Sequence, residues 1–324
     1  TMEFLAAHAD NNMYHPVIDW IQSKEWDGED RLTKLLDLIK FKVDDPFNRT
    51  LVTKWLIQCV QALNSPYGYA AQGVLVFQGA QGIGKTTWLK NLVPSDYSSE
   101  WVKDGVLLNV SNNDSVMGAI KHWIVELGEI DATFRKSDIS QTKAFLTREQ
   151  DHIRLPYAAA ESKFPRQTVF FGSVNPAVFL SDPTGNRRYW TVPVEKLDFL
   201  PEEDRQQLWA QIWNMFKVDG ATAYLTPEES KALNTANERF AETDPIVDSL
   251  QEQYDFECQD KSRFKFVSSK NLRGELLLPE TPKEARRLST VLGGLGIESK
   301  KGREGGGGKS VNGYVMPPRI NNYC

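Results

Sequence analysis

The sequence predicts an α/β fold: a P-loop NTPase core between an N-terminal helical domain and a C-terminal winged-helix-like domain. Three observations carry this expectation. Between Gly73 and about Val194, short β-rich runs alternate with helical segments, the pattern of helices packed on a largely parallel sheet. Inside that stretch, Gly79-Ala80-Gln81-Gly82-Ile83-Gly84-Lys85-Thr86-Thr87 fits the phosphate-binding pattern G-x-x-x-x-G-K-S/T. Towards the C-terminus the chain turns basic and glycine-rich. The expected boundaries are 1–70 for a helical oligomerisation or collar domain, 71–200 for the ATPase core, 201–255 for a helical lid or connector, and 256–324 for the basic winged-helix-like domain.

Taken in order, His15 to Ile21, Arg31 to Ile39 and Asn48 to Leu63 each place apolar residues at helical spacing and read as the N-terminal helices. The run Gly73-Val74-Leu75-Val76-Phe77-Gln78 reads as a short buried strand, and Thr87 to Leu92 as a helix, with the glycine-rich loop between them. Glycines there let successive backbone N–H groups turn inward around a β-phosphate; Lys85 reaches the β- and γ-phosphates, and the Thr86 hydroxyl suits Mg²⁺. ATP and Mg²⁺ are therefore the expected cofactors, with Gly79 through Thr87 as the binding segment.

A triphosphate hydrolase also needs acids at the end of a neighbouring strand, to hold the metal's water shell and to orient or deprotonate the attacking water. Ile120 to Leu127 reads as that strand, and Trp123-Ile124-Val125-Glu126-Leu127-Gly128-Glu129-Ile130-Asp131 ends in acids. Glu126 and Glu129 are the candidates, with Asp131 as a third; spacing does not divide the metal-binding and base roles between them. Thr168 to Asn175 is an apolar strand ending in an amide, and Asn175 is expected to hold the attacking water beside the γ-phosphate. Asp182-Pro183-Thr184-Gly185-Asn186-Arg187-Arg188 then forms a turn with paired arginines. Arg187, with Arg188 as alternate, is the candidate finger for a neighbouring subunit's site; the plainer reading is a surface pair flanking a strand. Between the acids and Asn175, Lys143 to Tyr157 interleaves cations with aromatic and apolar residues, making Lys143, Arg148 and Arg154 candidates for single-stranded DNA in a ring's channel. A salt-bridged amphipathic helix is the alternative for that stretch.

Pro201 to Tyr254 returns to helix, with Pro227 opening one at a first-turn position. Lys283 to Leu292 is a further helix, followed by a turn and two short strands, with Gly305 to Gly308 as the tip of a wing or as a linker. From Lys261 to Cys324 there are 13 Lys and Arg against 5 Glu, a net +8, which leaves −13 on the first 260 residues of a chain whose total is −5. A basic end on an acidic body suits origin or duplex DNA held at that end, or an ordinary solvated face.

Composition excludes several classes. With 324 residues, 40% hydrophobic and 25% charged, the chain is ordinary for a globular protein. It has no apolar run near the roughly 18 residues of a membrane span and no basic-then-apolar leader, so a cytoplasmic location without membrane partners is expected. Three cysteines and four histidines in no ligand spacing support neither a disulfide framework nor a zinc site.

Together these motifs resemble the virulence-associated protein E family of phage and mobile-element replication proteins, akin to superfamily 3 helicases. The resemblance runs from about Pro16 to Arg188. It rests on Trp26-Asp27-Gly28-Glu29-Asp30-Arg31-Leu32, Gln81 to Thr86, Glu126 to Glu129, Lys143 with Arg154-Leu155-Pro156-Tyr157, Asn175, and Thr184 to Arg188. It departs at Ser173-Val174-Asn175, where Thr-x-Asn is more usual. What it implies is an AAA+-like ATPase that assembles into a homo-oligomeric ring, a hexamer, and moves along single-stranded DNA. Family members can carry a primase-like domain upstream; none is legible in this sequence. Three functions stay open: a DNA helicase, a non-unwinding ATP-controlled switch or loader at a replication origin, and a small-molecule kinase. The kinase fits least well, because the arginines follow an Asn-bearing strand instead of lying in a lid.

Overall fold

A computed structural model describes residues 15–43, 45–128, 139–153, 160–176, 179–180, 186–240, 245–304 and 310–320. The chain forms two compact units, Thr1–Glu242 and Thr243–Cys324.

The first unit begins with helices α1 (Pro16–Ile21) and α2 (Arg31–Asp37), strand β1 (Ile39–Phe41) and helix α3 (Pro46–Leu63). Asp30 caps α2 by accepting from the Thr33 amide; Asp45 caps α3, with Pro46 at its first turn. The core then runs β2 (Val74–Gln78), α4 (Lys85–Asn91), α5 (Ser98–Trp101), β3 (Val102–Val106), α6 (Asn113–Ile120), β4 (Ile124–Leu127), α7 (Ile139–Leu146), β5 (Gln150–Ile153), β6 (Ser162–Pro165), β7 (Val169–Val174) and β8 (Tyr189–Leu197). Helices α8 (Glu202–Lys217) and α9 (Pro227–Glu238) complete the unit. A capping box between Thr226 and Glu229, with Pro227 in the first turn, starts α9 as its sequence implied.

Six strands form a mixed sheet in the order β1-β8-β2-β7-β4-β3. Five run parallel, and β1 pairs antiparallel with β8 at one edge. Every residue of β2 and β4 is buried, as expected for parallel strands covered on both faces. Leu75 and Phe77 of β2 pack with Trp55, Trp88, Phe171 and Trp209 on one side, whereas Val74 and Val76 pack with Val125, Phe145 and Phe170 on the other. The N-terminal helices and α8 share the first of these cores.

Three element readings change. The helix read through Ile39 ends at Asp37, and Ile39 enters β1. The strand read from Ile120 starts only at Ile124, because Ile120 closes α6 and a turn intervenes. The second unit has three strands where two were expected. It contains α10 (Pro245–Gln253), β9 (Lys265–Ser268), α11 (Ser269–Glu275), α12 (Pro282–Gly294), β10 (Ser299–Gly302) and β11 (Val311–Met316), with sheet order β10-β11-β9.

The motif around Arg31 has a structural job. Arg31 is buried; its guanidinium pairs with Asp27, Glu29 and Asp204, while Gln211 Oε1 accepts from the Arg31 and Leu32 amides at 2.8 and 2.9 Å. Gln207 Oε1 accepts from the Asp27 amide at 2.8 Å, so the segment is clasped onto α8. A second buried pair fixes the β5–β6 hairpin. Arg166 donates to both Asp151 oxygens at 2.5 and 2.6 Å, and its guanidinium lies 4.2 Å from the Phe145 ring centroid of α7. Asp151→Ala leaves that guanidinium buried without its anion and is expected to cost about 3–5 kcal/mol. Urea denaturation checks this as a lower midpoint at unchanged slope.

Candidate nucleotide site

The glycine-rich loop leaves the sheet at Gln78 and enters α4 at Lys85. Gly82 and Gly84 have φ of 84° and 90°, left-handed values that side-chain-bearing residues rarely adopt. At Gly79 the need is for space, since a Cβ would stand 2.4 Å from the Val194 carbonyl oxygen. Trp88 anchors the helix that follows, its ring 4.7 Å from Phe77 and 6.0 Å from Phe171. Lys85 and Thr86 are therefore fixed against the strands that carry their partners. Ala80 and Gln81 are exposed on the loop, Thr87 is exposed in the first turn of α4, and Ile83 is half-buried against the core.

Four of the expected site residues converge. Lys85 Nζ donates to the Gly79 and Ala80 carbonyls, each at 2.8 Å, and to Asn175 Oδ1 at 2.9 Å. Thr86 Oγ1 donates to Glu126 Oε1 at 2.9 Å. Glu126 is 2% exposed, a buried carboxylate whose same oxygen also accepts from Ser173 Oγ at 2.7 Å. Burial lowers the Lys85 ammonium from its ordinary pKa; Glu126 opposes that shift and Lys42 adds to it. Strand order explains the meeting: β7, which delivers Ser173 and Asn175, lies between the loop strand β2 and the acidic strand β4.

Sequence reading missed three participants. Ser173 stood only as a departure from a familiar pattern, yet it supplies a donor to Glu126. Gln78 Nε2 donates to the Asn175 and Pro176 carbonyls at 3.2 and 3.3 Å, holding the Asn175 backbone in place. Lys42, just past β1, donates to Gln78 Oε1 at 3.2 Å and brings a second cation near Lys85. Ser-x-Asn at a strand end was the one signal available for Ser173. Nothing local marks Lys42.

Other candidates lie elsewhere. Arg187 and Arg188 occupy a 3-10 turn, Asn186–Arg188, immediately before β8. In the parallel register Tyr189 lies beside Val74 and Pro193 beside Gln78, so the arginines flank the start of β2 while the loop leaves its end, about 15 Å away along the strand. They line a cavity of about 530 Å³ with Gln72, Trp190, Tyr224 and Asn234. Buried Asn237 fixes their turn, its Nδ2 donating to the Asn186 and Tyr189 carbonyls at 2.8 and 2.9 Å. Asn237→Ala removes the donor from both carbonyls and is expected to cost about 1–3 kcal/mol, read as a lower melting temperature. Arg148 is exposed, 5.8 Å from the Phe145 ring centroid; Lys143 lies on α7, its side chain outside the described residues. Glu129, Asp131, Arg154 and the Gly305 to Gly308 tip also fall outside the described residues.

The donor set can be tested against the expected ligands. Three donors of Lys85 are turned onto loop carbonyls and Asn175, all within reach of one another, which suits an ammonium that exchanges these partners for phosphate oxygens. One hydroxyl and one buried carboxylate, Thr86 and Glu126, suit Mg²⁺, which takes few protein ligands and keeps water and phosphate oxygens. Among the described residues no group of three His, Cys, Asp or Glu gathers into a metal cage, and no helix is long and apolar enough to cross a membrane.

A family model described as the virulence-associated protein E-like domain matches residues 21–242, more than half of the chain. No curated protein matches the chain. Among solved structures, the apo structure of the NrS-1 C-terminal region superposes with a TM-score of 0.57 at 16% identity, covering 94% of this chain and 79% of that one. Its A form gives a TM-score of 0.53 at 16% identity, covering 94% and 78%. At such identity the likeness establishes a shared fold.

Proposed function

The chain belongs to the virulence-associated protein E-like family, and on that premise we propose that it is an ATP-dependent DNA helicase. In this reading it is an AAA+-like P-loop ATPase that forms a homo-oligomeric ring, a hexamer, and translocates on single-stranded DNA during phage or mobile-element replication in the cytoplasm. The observation that carries the reading is the bonded set Lys85, Thr86, Glu126 and Asn175 at the mouth of a glycine-rich loop.

Each residue then has a task. Loop amides from Gly79 to Thr87 cradle the phosphates, and Lys85 moves its ammonium from the loop carbonyls to the β- and γ-oxygens. Asn175, released from Lys85 by the same exchange, turns its amide to the attacking water. Thr86 and Glu126 would hold Mg²⁺, which when bound neutralises charge across the β- and γ-phosphates. Because Glu126 is bonded to Thr86, it takes the metal side and Glu129 is left for the water. Arg187, at the opposite end of β2, is too far to serve its own loop and suits a neighbour's γ-phosphate, with Arg188 beside it. Lys143, Arg148 and Arg154 line the channel in this reading.

The second unit supports a DNA-contacting role. Two helices, α11 and α12, precede the β10–β11 hairpin in winged-helix fashion, and α12 exposes Lys283, Arg286 and Arg287 towards origin or duplex DNA. The test is strand displacement on a forked duplex. ATP-dependent release of the labelled strand is expected; tight DNA binding with no displacement at any ATP concentration would favour the switch or loader.

A further inference from the structure

The three-stranded sheet of the second unit has a face that its own core does not use. Val267, Tyr314 and Met316 pack into the unit's apolar cluster, so by strand alternation Phe266, Gly313 and Val315 point the other way. Register puts Lys300 opposite Gly313 and Gly302 opposite Val311, on the same outer face. Gly302 leaves room for Phe266, and Gly313 leaves room both for Phe266 and for the Val267 carbonyl, 2.3 Å from where its Cβ would stand. A Cβ on Gly302 or on Gly313 would meet the Phe266 ring at 2.6 Å, so the ring covers β10 and β11 where side chains would otherwise stand.

A half-buried aromatic ring seated over glycines offers a stacking surface, and its surroundings are cationic. Arg263, Lys265 and Arg303 gather beside Phe266 around a cavity of about 930 Å³ that is also lined by Val267 and Met316 of the core face. The acids beside that cavity are spoken for: Glu275 pairs with Arg319 and accepts from Tyr254, and Glu304 accepts from Asn271 Nδ2 at 2.7 Å. Lys265, Lys300 and Arg303 are exposed and enter none of the unit's ion pairs among the described residues. The segment from Lys261 carries a net +8, so the complementary occupant is a polyanion.

We propose that single-stranded DNA docks on this outer face, one base stacking on Phe266 and flanking phosphates held by Lys300 and by Arg303 just past the end of β10. A flat ring recognises the π-face of an unpaired base, which a duplex keeps inside its stack. The inference rests on the nucleic-acid part of the proposed function and needs nothing from the ATP site. It gives the second unit a single-strand site on its sheet, apart from the helix face offered to duplex.

The test is fluorescence anisotropy of a labelled oligo-dT and of a hairpin duplex, on the 324-residue chain carrying Lys85→Ala, without nucleotide and at fixed low salt. Phe266→Leu keeps the glycines covered but removes the π-face; it is expected to weaken oligo-dT binding about tenfold and leave duplex binding unchanged. Phe266→Tyr is expected to bind within about twofold of the parent. Lys300→Gln and Arg303→Gln, both at exposed positions, are each expected to reduce the slope of log affinity against log salt by about 0.7, and they decide the matter if Phe266→Leu fails to fold. Equal oligo-dT affinity for Phe266→Leu and parent, or unchanged salt slopes, would overturn the inference. A chain that binds in this way yet never hydrolyses ATP would keep the inference and lose the helicase reading.

Discussion

Lys85→Ala is expected to lower the rate of ATP hydrolysis by about 10³-fold or more while leaving the fold intact. The magnitude follows from removing a preorganised cation aimed at oxygens that gain charge as the phosphoryl group transfers; a single oxyanion donor is already worth about 10²–10³ in rate. Loss of the ammonium also frees Asn175 from its 2.9 Å bond, but the Asn175 backbone stays held by Gln78, so the loss in rate is that of the cation. The fold is expected to survive because α4 is held by Trp88 against Phe77 and Phe171, independently of the lysine. Circular dichroism checks the fold and a phosphate-release assay checks the rate. Full residual turnover would mean that the triphosphate is bound somewhere else.

Arg187→Ala is expected to bind ATP normally and hydrolyse it about 10³–10⁵-fold more slowly, the range for a lost arginine finger. Arg187 is exposed beside the start of β2, whereas the loop leaves its far end, so within one subunit the guanidinium cannot reach the loop. In a ring the same placement presents it to the adjoining subunit. Mixing Arg187→Ala chains with Lys85→Ala chains then assembles some interfaces with an intact loop on one side and an intact finger on the other, and partial activity should return. Absence of rescue at every mixing ratio would count against action across an interface. Asn237 belongs to this account as a positioning residue, since it ties down both ends of the arginine turn.

What the sequence reveals is what depends on neighbours along the chain. The glycine-rich loop is legible because its backbone geometry demands glycine at fixed spacing, and Glu126 and Asn175 because each closes an apolar run. Ser173, Gln78 and Lys42 act through pairings between strands far apart in sequence, and no periodicity records which strand lies beside which. The β1 strand was absorbed into the preceding helix because three residues, Ile39-Lys40-Phe41, are too few to display alternation; its identity comes from pairing with β8. Strand β9 escaped notice for a related reason: Lys265 and Phe266 read as exposed basic tail until Gly302 and Gly313 are seen beneath the ring. The Arg31 motif was legible as a family marker but not as a clasp, because its partners Asp204, Gln207 and Gln211 lie more than 170 residues away.

The most direct test of the central claim is the steady-state rate of ATP hydrolysis with and without single-stranded DNA, at one low salt concentration because phosphate contacts are salt-sensitive. A DNA-driven motor predicts a clear rise in rate on adding oligo-dT, and no rise for Lys85→Ala. A rate indifferent to DNA would contradict coupling between the ATP site and the strand, and with it the helicase.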